Sequence, residues 1–209
     1  MSKNDFTWGG TSPFFHLSFV SSFMPDLKNK RVLDCGCGKG INAYLMRATR
    51  DLFGGQIIGL DANQDYLDYC RTFNVYDKLI KNSLPKLPFR RKGIDVLVCT
   101  EVIEHLKKKN GRKFLKEVER VTKERAIITT PNVFFDTHPA DVKDKHRSLW
   151  SANDFREMGY KVYGMGFKLA ILSGDPLIRL KQVLSYIFTP LSYLVPEISG
   201  SLICIKDFK

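Results

Sequence analysis

Short β-branched runs alternate along the chain with longer segments whose apolar residues recur at helical spacing. The runs RVLDC (31–35), QIIGLDA (56–62), DKLIKN (77–82), IDVLVCT (94–100) and RAIITTP (125–131) predict strands, as do KVYGMGF (161–167) and SLICIKDF (201–208). Between them, INAYLMRATRDLF (41–53), NQDYLDYCRTF (63–73), GRKFLKEVERVTK (111–123) and SANDFREMG (151–159) predict helices; Phe114, Val118 and Val121, for example, share one face. Asn63, Asn110 and Ser151 fit N-caps, and Gly54 and Gly159 fit helix ends. Such alternation implies an α/β domain with a parallel sheet covered by helices on both faces. Connections are short except over 131–150 and 168–200, and long connections in a compact domain tend to carry function. Substrate specificity is expected there.

Length and composition narrow this picture. At 209 residues and 44% hydrophobic, the chain can bury one substantial core, so a single domain over 1–209 is expected. A formal charge of +11 favours an anionic partner such as nucleic acid, a phosphorylated small molecule or an acidic membrane surface, without choosing among them or excluding a purely compositional origin. The cysteines Cys35, Cys37, Cys70, Cys99 and Cys204 are odd in number and set in apolar or glycine-rich surroundings, which argues against a disulfide framework. Cys35 and Cys37 have no second pair to complete a zinc site. The opening MSKNDFTWGG does not read as a secretion signal, and with reduced cysteines it points to a cytoplasmic protein.

The most specific local signal is RVLDCGCGKG, where Gly36, Gly38 and Gly40 alternate between a strand and a helical pattern. Missing side chains let the backbone turn tightly and approach a ligand. Asp61 ends the next strand, where an acid can accept hydrogen bonds from both ribose hydroxyls of a nucleoside. The pair specifies an adenosine-type ligand. A dinucleotide fingerprint would need glycine at position 41, which is Ile41, and Asp34 just ahead of the loop would be unwelcome beside a pyrophosphate.

The ordered set VLDCGCGKG, IIGLDAN, LPKLPF, IDVLVCTEVIEHL, IITTPN and HRSLWSANDFREMGYKV resembles class I S-adenosylmethionine-dependent methyltransferases, particularly the broad group of types 11 and 12, over about residues 30–167. The resemblance implies a Rossmann-like, doubly wound seven-stranded sheet of order 3-2-1-4-5-7-6, with SLICIKDF as the antiparallel seventh strand. It also implies S-adenosylmethionine as cofactor. Asp34 and the loop Gly36, Cys37, Gly38 and Gly40 would hold its methionine portion, Asp61 the ribose, Ala62 the adenine, and Asn82, Ser83 and Leu84 the base edge. Glu101 and Val102 would close the floor beneath the methyl donor. Many relatives carry an aspartate where this chain has the Asn82–Leu84 stretch, which leaves adenine recognition there less defined.

Glu101, Glu104 and His105 follow the buried strand 94–100, at the edge where ligands bind in open α/β sheets. If EVIEHL begins a helix, the three share one face. Three readings stay open. The acids answer a helix dipole and the histidine packs or caps; or His105 or His146, with Glu104 beside them, is a catalytic base removing a hydroxyl proton; or Glu101, Glu104, His105 and His146 (less readily His138) bind a divalent metal that polarises a hydroxyl. The E-x-x-E-H pattern is similar to that of small-RNA 3′-terminal ribose 2′-O-methyltransferases and of polyprenyl catechol O-methyltransferases, although this chain has TPNVFFDTH where the RNA enzymes favour an acidic residue and an asparagine shortly after TPN, and HRSLW lacks their acidic residue before the tryptophan.

In the flanking segments, Ser12 and Pro13 open a helix with Phe15, Phe19 and Phe23 every fourth residue. Such a helix can simply pack on the sheet; the family commonly covers its donor pocket with one, which makes residues 1–29 a helical lid in which Trp8, Phe14 and His16 exclude water. The core then spans 30–167, a helical insertion or cap 168–200, and the last strand 201–209. In the insertion Leu177, Leu180, Leu184, Ile187, Leu191 and Leu194 form one stripe, broken at Pro190, with Arg179 and Lys181 nearby. It is too broken and charged to span a membrane and reads as a cap, a homodimer contact or a peripheral membrane element within 175–196. The reading that results is a methyltransferase acting on oxygen of a small-molecule, glycan or lipid-linked acceptor; the alternatives are an RNA ribose methyltransferase and a non-catalytic adenosyl-ligand or partner-binding module.

Overall fold

The computed structural model describes residues 14–133, 145–168 and 176–208. Its strands are β1 (Arg31–Cys35), β2 (Gln56–Asp61), β3 (Lys78–Lys81), β4 (Ile94–Thr100), β5 (Thr122–Pro131), β6 (Lys161–Phe167) and β7 (Ser199–Asp207). They form one seven-stranded sheet of order β3-β2-β1-β4-β5-β7-β6. The first five pair in parallel, while β7 runs antiparallel to both β5 and β6. This is the expected topology. The cause is visible in the strands: β1 and β4 bury nearly every residue, as strands covered on both faces must.

Helices α1 (Phe14–Phe23), α2 (Ile41–Thr49), α3 (Gln64–Phe73), α4 (Lys108–Val121), α5 (Ala152–Arg156) and α6 (Ile178–Leu194) join them. Alternate strand residues divide the core in two. Val32, Ile57, Val96 and Val98 meet Val20 of α1, Met46 of α2 and Leu67 of α3. On the other face Leu33, Leu97 and Cys99 meet Phe114 and Val118 of α4, together with Trp150 and Phe155.

Asn63 caps α3 by accepting from the Asp65 amide at 3.0 Å, and Ser151 caps α5 in a reciprocal capping box with Asp154. Several boundaries differ from the pattern: α5 ends at Arg156, leaving Gly159 (φ +79°) in the turn beyond it, and β7 begins at Ser199. Helix α4 begins before Asn110, with Lys107 at the cap, because the amides of Asn110 and Gly111 already bond to the Lys107 carbonyl. Helix α2 stops at Thr49: Arg50 turns extended and Asp51 accepts from the Phe53 amide, so Gly54, at φ +68°, serves the turn into β2 and not a helix end. Strand β5 starts at Thr122, because α4 passes directly into it.

Trp8, Ser12, Pro13 and His138 lie outside the described residues; Phe14 and His16 belong to α1, but their side chains are not described. Among the described residues no helix is long and apolar enough to cross a membrane.

Candidate active site

The glycine loop leaves β1 with Gly36, Gly38 and Gly40 all at positive φ. At Gly36 two constraints coincide: φ is +75°, and an added Cβ would lie 2.3 Å from Val102 Cγ2. The loop is tied to the neighbouring strand by the amides of Gly36 and Cys37, which donate to the Leu60 carbonyl at 2.7 and 3.0 Å. Asp61 completes the tie. Its Oδ2 accepts from the Gly38 amide at 2.9 Å and its Oδ1 from the Asn63 amide at 2.8 Å. A carboxylate has lone pairs beyond those two bonds, so the same group can still accept from a diol.

Asp34 lies beneath the loop. It is fully buried, with Oδ2 accepting from the Tyr76 hydroxyl at 2.6 Å and Oδ1 from Asn42 Nδ2 at 3.2 Å. Asn42 also donates to Thr100 Oγ1 at 2.9 Å, linking the start of α2 to the end of β4. Burial raises the Asp34 pKa to about 6, against the lowering effect of the Tyr76 and Asn42 hydrogen bonds and with help from the Asp61 charge. So placed, Asp34 ties Tyr76, in the link between α3 and β3, to Asn42 at the start of α2. Cys70 on α3 donates to the Gly38 carbonyl at 3.2 Å, and its bond with Cys37 holds its pKa down while pushing that of Cys37 up.

Past β2, Ala62 is exposed, and the Asn82 amide donates to the Asp61 carbonyl at 2.9 Å. Asn82 Nδ2 donates to the Lys86 carbonyl at 2.7 Å, shaping the turn that carries exposed Ser83 and half-buried Leu84. These residues stand beside Asp61 at the same sheet edge.

At the end of β4 the helix expected over EVIEHL does not form. Glu101 adopts a left-handed backbone, φ +55°, and only Ile103–His105 follow as a 3-10 turn. Glu101 and Glu104 therefore do not share a helix face. Glu101 accepts from Thr129 Oγ1 at 2.8 Å, whereas Glu104 turns inward, buried, accepting from Thr130 Oγ1 at 3.2 Å. Its Oε1 is buried with no hydrogen-bond partner among the described residues. Burial, reinforced by the Glu101 charge, pushes the Glu104 pKa well up.

His146 is brought here by backbone pairing: the amides of Arg147 and Ser148 both donate to the Glu104 carbonyl, at 2.7 and 3.1 Å. The His105 and His146 rings then meet edge-on with centroids 5.2 Å apart, and His105 Nδ1 sits 3.4 Å from the Lys145 carbonyl. A proton on Nδ1 would leave Nε2 as the acceptor. One donor atom each from Glu104, His105 and His146 falls within 4.8 Å of the others. Among the described residues that set excludes Glu101. Tyr76, Asn42, Thr129, Thr130 and Cys70 are the participants the sequence pattern did not single out.

A family model described as a methyltransferase domain matches residues 33–130, from β1 through β5. The uncharacterized protein MJ0638 of Methanocaldococcus jannaschii is 28% identical over 178 residues, covering 80% of this chain and 73% of its own length. A ubiquinone biosynthesis O-methyltransferase of Rickettsia bellii is 29% identical over 119 residues, 54% of this chain, and the matched part spans 47% of that relative's length. An S-adenosylmethionine-dependent methyltransferase structure from Archaeoglobus fulgidus superposes with a TM-score of 0.62 at 18% identity, covering 92% of each chain, a likeness of fold. The matched domain, the sheet order and the glycine loop together support a class I S-adenosylmethionine-dependent methyltransferase.

Proposed function

We propose that this protein transfers a methyl group from S-adenosylmethionine to an oxygen of a small-molecule, glycan or lipid-linked acceptor. The observation that carries the choice of oxygen is the group of Glu104, His105 and His146 at the carboxyl end of β4. An amine free of its proton attacks without help, whereas a hydroxyl gains from a nearby base. The O-methyltransferase among the relatives supports the same choice.

In this reading the loop amides of Gly36, Cys37, Gly38 and Gly40 lie along the donor's methionine portion and Asp61 grips the ribose diol. Ala62 and the turn Asn82, Ser83 and Leu84 flank the adenine; Glu101 and Val102 form the floor. The acceptor oxygen attacks the methyl carbon while the carbon–sulfur bond breaks and its electron pair returns to sulfur, leaving S-adenosylhomocysteine. The hydroxyl proton passes to the imidazole of His105 or His146. Holding oxygen, methyl carbon and sulfur in line supplies most of the rate.

The same three side chains suit a divalent cation: two imidazoles and the orphaned buried oxygen of Glu104 form a mixed nitrogen and oxygen donor set. Such an ion, when bound, would act as a Lewis acid that lowers the acceptor hydroxyl's pKa. Glu104, His105 and His146 would hold it, with Glu101 kept outside by its bond to Thr129.

The test is incubation with methyl-labelled donor and fractionated lipids, glycans, small metabolites and RNA. Label on an oxygen of a non-RNA fraction is expected, with turnover falling about 100-fold or more in His146→Ala while donor affinity holds. Label in RNA, or full turnover in both His105→Ala and His146→Ala, overturns the assignment. Chelator treatment followed by magnesium, manganese or cobalt separates the metal contribution from the base.

A further inference from the structure

Twelve large hydrophobic residues are exposed among the described residues, and eight of them fall between Leu177 and Val195. They are not scattered. Leu180, Val183, Ile187, Leu191 and Leu194 repeat at steps of three and four along α6 and are between 48% and 75% exposed, so they share its outer face. The inner face is occupied: Tyr193 stacks on Tyr163 of β6 and on Phe19 of α1, Phe188 packs on Phe167, and Ser192 is fully buried. The helix is thus held to the body by one side and presents an apolar strip on the other, the kind of exposed patch that marks an interaction surface.

We infer that the outer face of α6 docks on an anionic lipid surface. Charge selects this occupant. Residues 176–195 contain Arg179 and Lys181 and no acidic residue, in a chain of net charge +11. A second copy would bring +11 against +11, whereas an anionic bilayer attracts the whole molecule before the apolar strip engages. Helix α6 is 17 residues long with Pro190 inside it, suited to lying in the interface and not to crossing it.

The segment that follows α6 is hydrogen-bonded to the end of β5, close in sequence to the candidate active site. Beyond α6 the chain enters a short 3-10 turn, Pro196–Ile198, and Asn132 at the end of β5 donates to the carbonyls of Pro196 and Ser199 at 2.8 and 3.1 Å. Two residues before Asn132, Thr130 donates to Glu104. The inference goes beyond the acceptor chemistry and does not require it.

The experiment is flotation of the full chain with phosphatidylcholine vesicles made with and without phosphatidylglycerol, alongside sedimentation velocity for oligomeric state. Binding only to the phosphatidylglycerol vesicles is expected. It should fall at least tenfold in Ile187→Asp/Leu194→Asp and severalfold in Arg179→Gln/Lys181→Gln, which leaves the apolar strip intact. Calorimetric binding of S-adenosylhomocysteine, unchanged in both variants, certifies their fold; Ile187→Gln replaces the aspartate pair if that variant misfolds. Failure to float, flotation undiminished by the α6 substitutions, or a dimer dissociated by Ile187→Asp each overturns the inference, the last by assigning the face to a second copy. Because the assay reads no methyl transfer, its failure leaves the proposed activity standing.

Discussion

Removing the Tyr76 hydroxyl should expose how the donor loop is founded on a buried carboxylate. Tyr76 donates to Asp34 at 2.6 Å with both residues buried. The Asp34 pKa, raised from 3.8 to about 6 by burial, corresponds to about 3 kcal/mol at about 1.4 kcal/mol per unit. The native value lies above the unfolded one, so the favourable contribution is fully present below 3.8, where both states hold the proton, and is lost as pH rises through about 6. Tyr76→Phe removes one of the two hydrogen bonds that oppose this rise, so the Asp34 pKa moves further up. A hydrogen bond to a charged group is worth about 1.5–3 kcal/mol and a neutral one about 0.5–1.5. The substitution should therefore cost about 1 kcal/mol more where Asp34 is ionised than where it is protonated. Urea unfolding of both proteins on either side of pH 6, with donor calorimetry at the higher value, measures the difference. An equal cost at both pH values would refute the claim that Tyr76 acts on the charge of Asp34.

Three further substitutions probe packing. Gly36→Ala adds a Cβ 2.3 Å from Val102 Cγ2 at φ +75°; a loss of about 2–4 kcal/mol and of donor binding is expected, and Val102→Ala in the same chain should restore only the steric share, as a thermal and calorimetric double-mutant cycle would show. Gly111→Ala should destabilise by about 1–3 kcal/mol despite alanine's better helix propensity, because its methyl would meet Trp150 Cζ2 at 2.3 Å; a raised melting temperature would contradict this. Asn132→Ala removes the side-chain donor to the carbonyls of Pro196 and Ser199, so limited proteolysis should cut residues 176–198 faster while the body stays folded.

What the sequence made legible, and what it hid, follows one physical division. The strands could be read because β1 and β4 are buried along nearly their whole length and leave a continuous apolar run. The donor loop could be read because tight turning restricts it to glycine. Glu101, Glu104 and His105 were identifiable as polar groups at a strand end, but the helical face assigned to them was not real, since Glu101 takes a left-handed backbone. Glu104, His105 and His146 nevertheless converge, for a reason without local signature: one carbonyl, that of Glu104, accepts the amides of both Arg147 and Ser148. Tyr76 escaped notice in the same way, lying in the link between α3 and β3 with nothing nearby to show that its hydroxyl ends on Asp34. Glu101, Glu104 and His105 are local in sequence because the end of β4 positions them. The groups that hold them in register act through backbone pairings and buried hydroxyls between distant segments, so Tyr76, Thr130 and Asn132 become visible only once the chain has closed on itself.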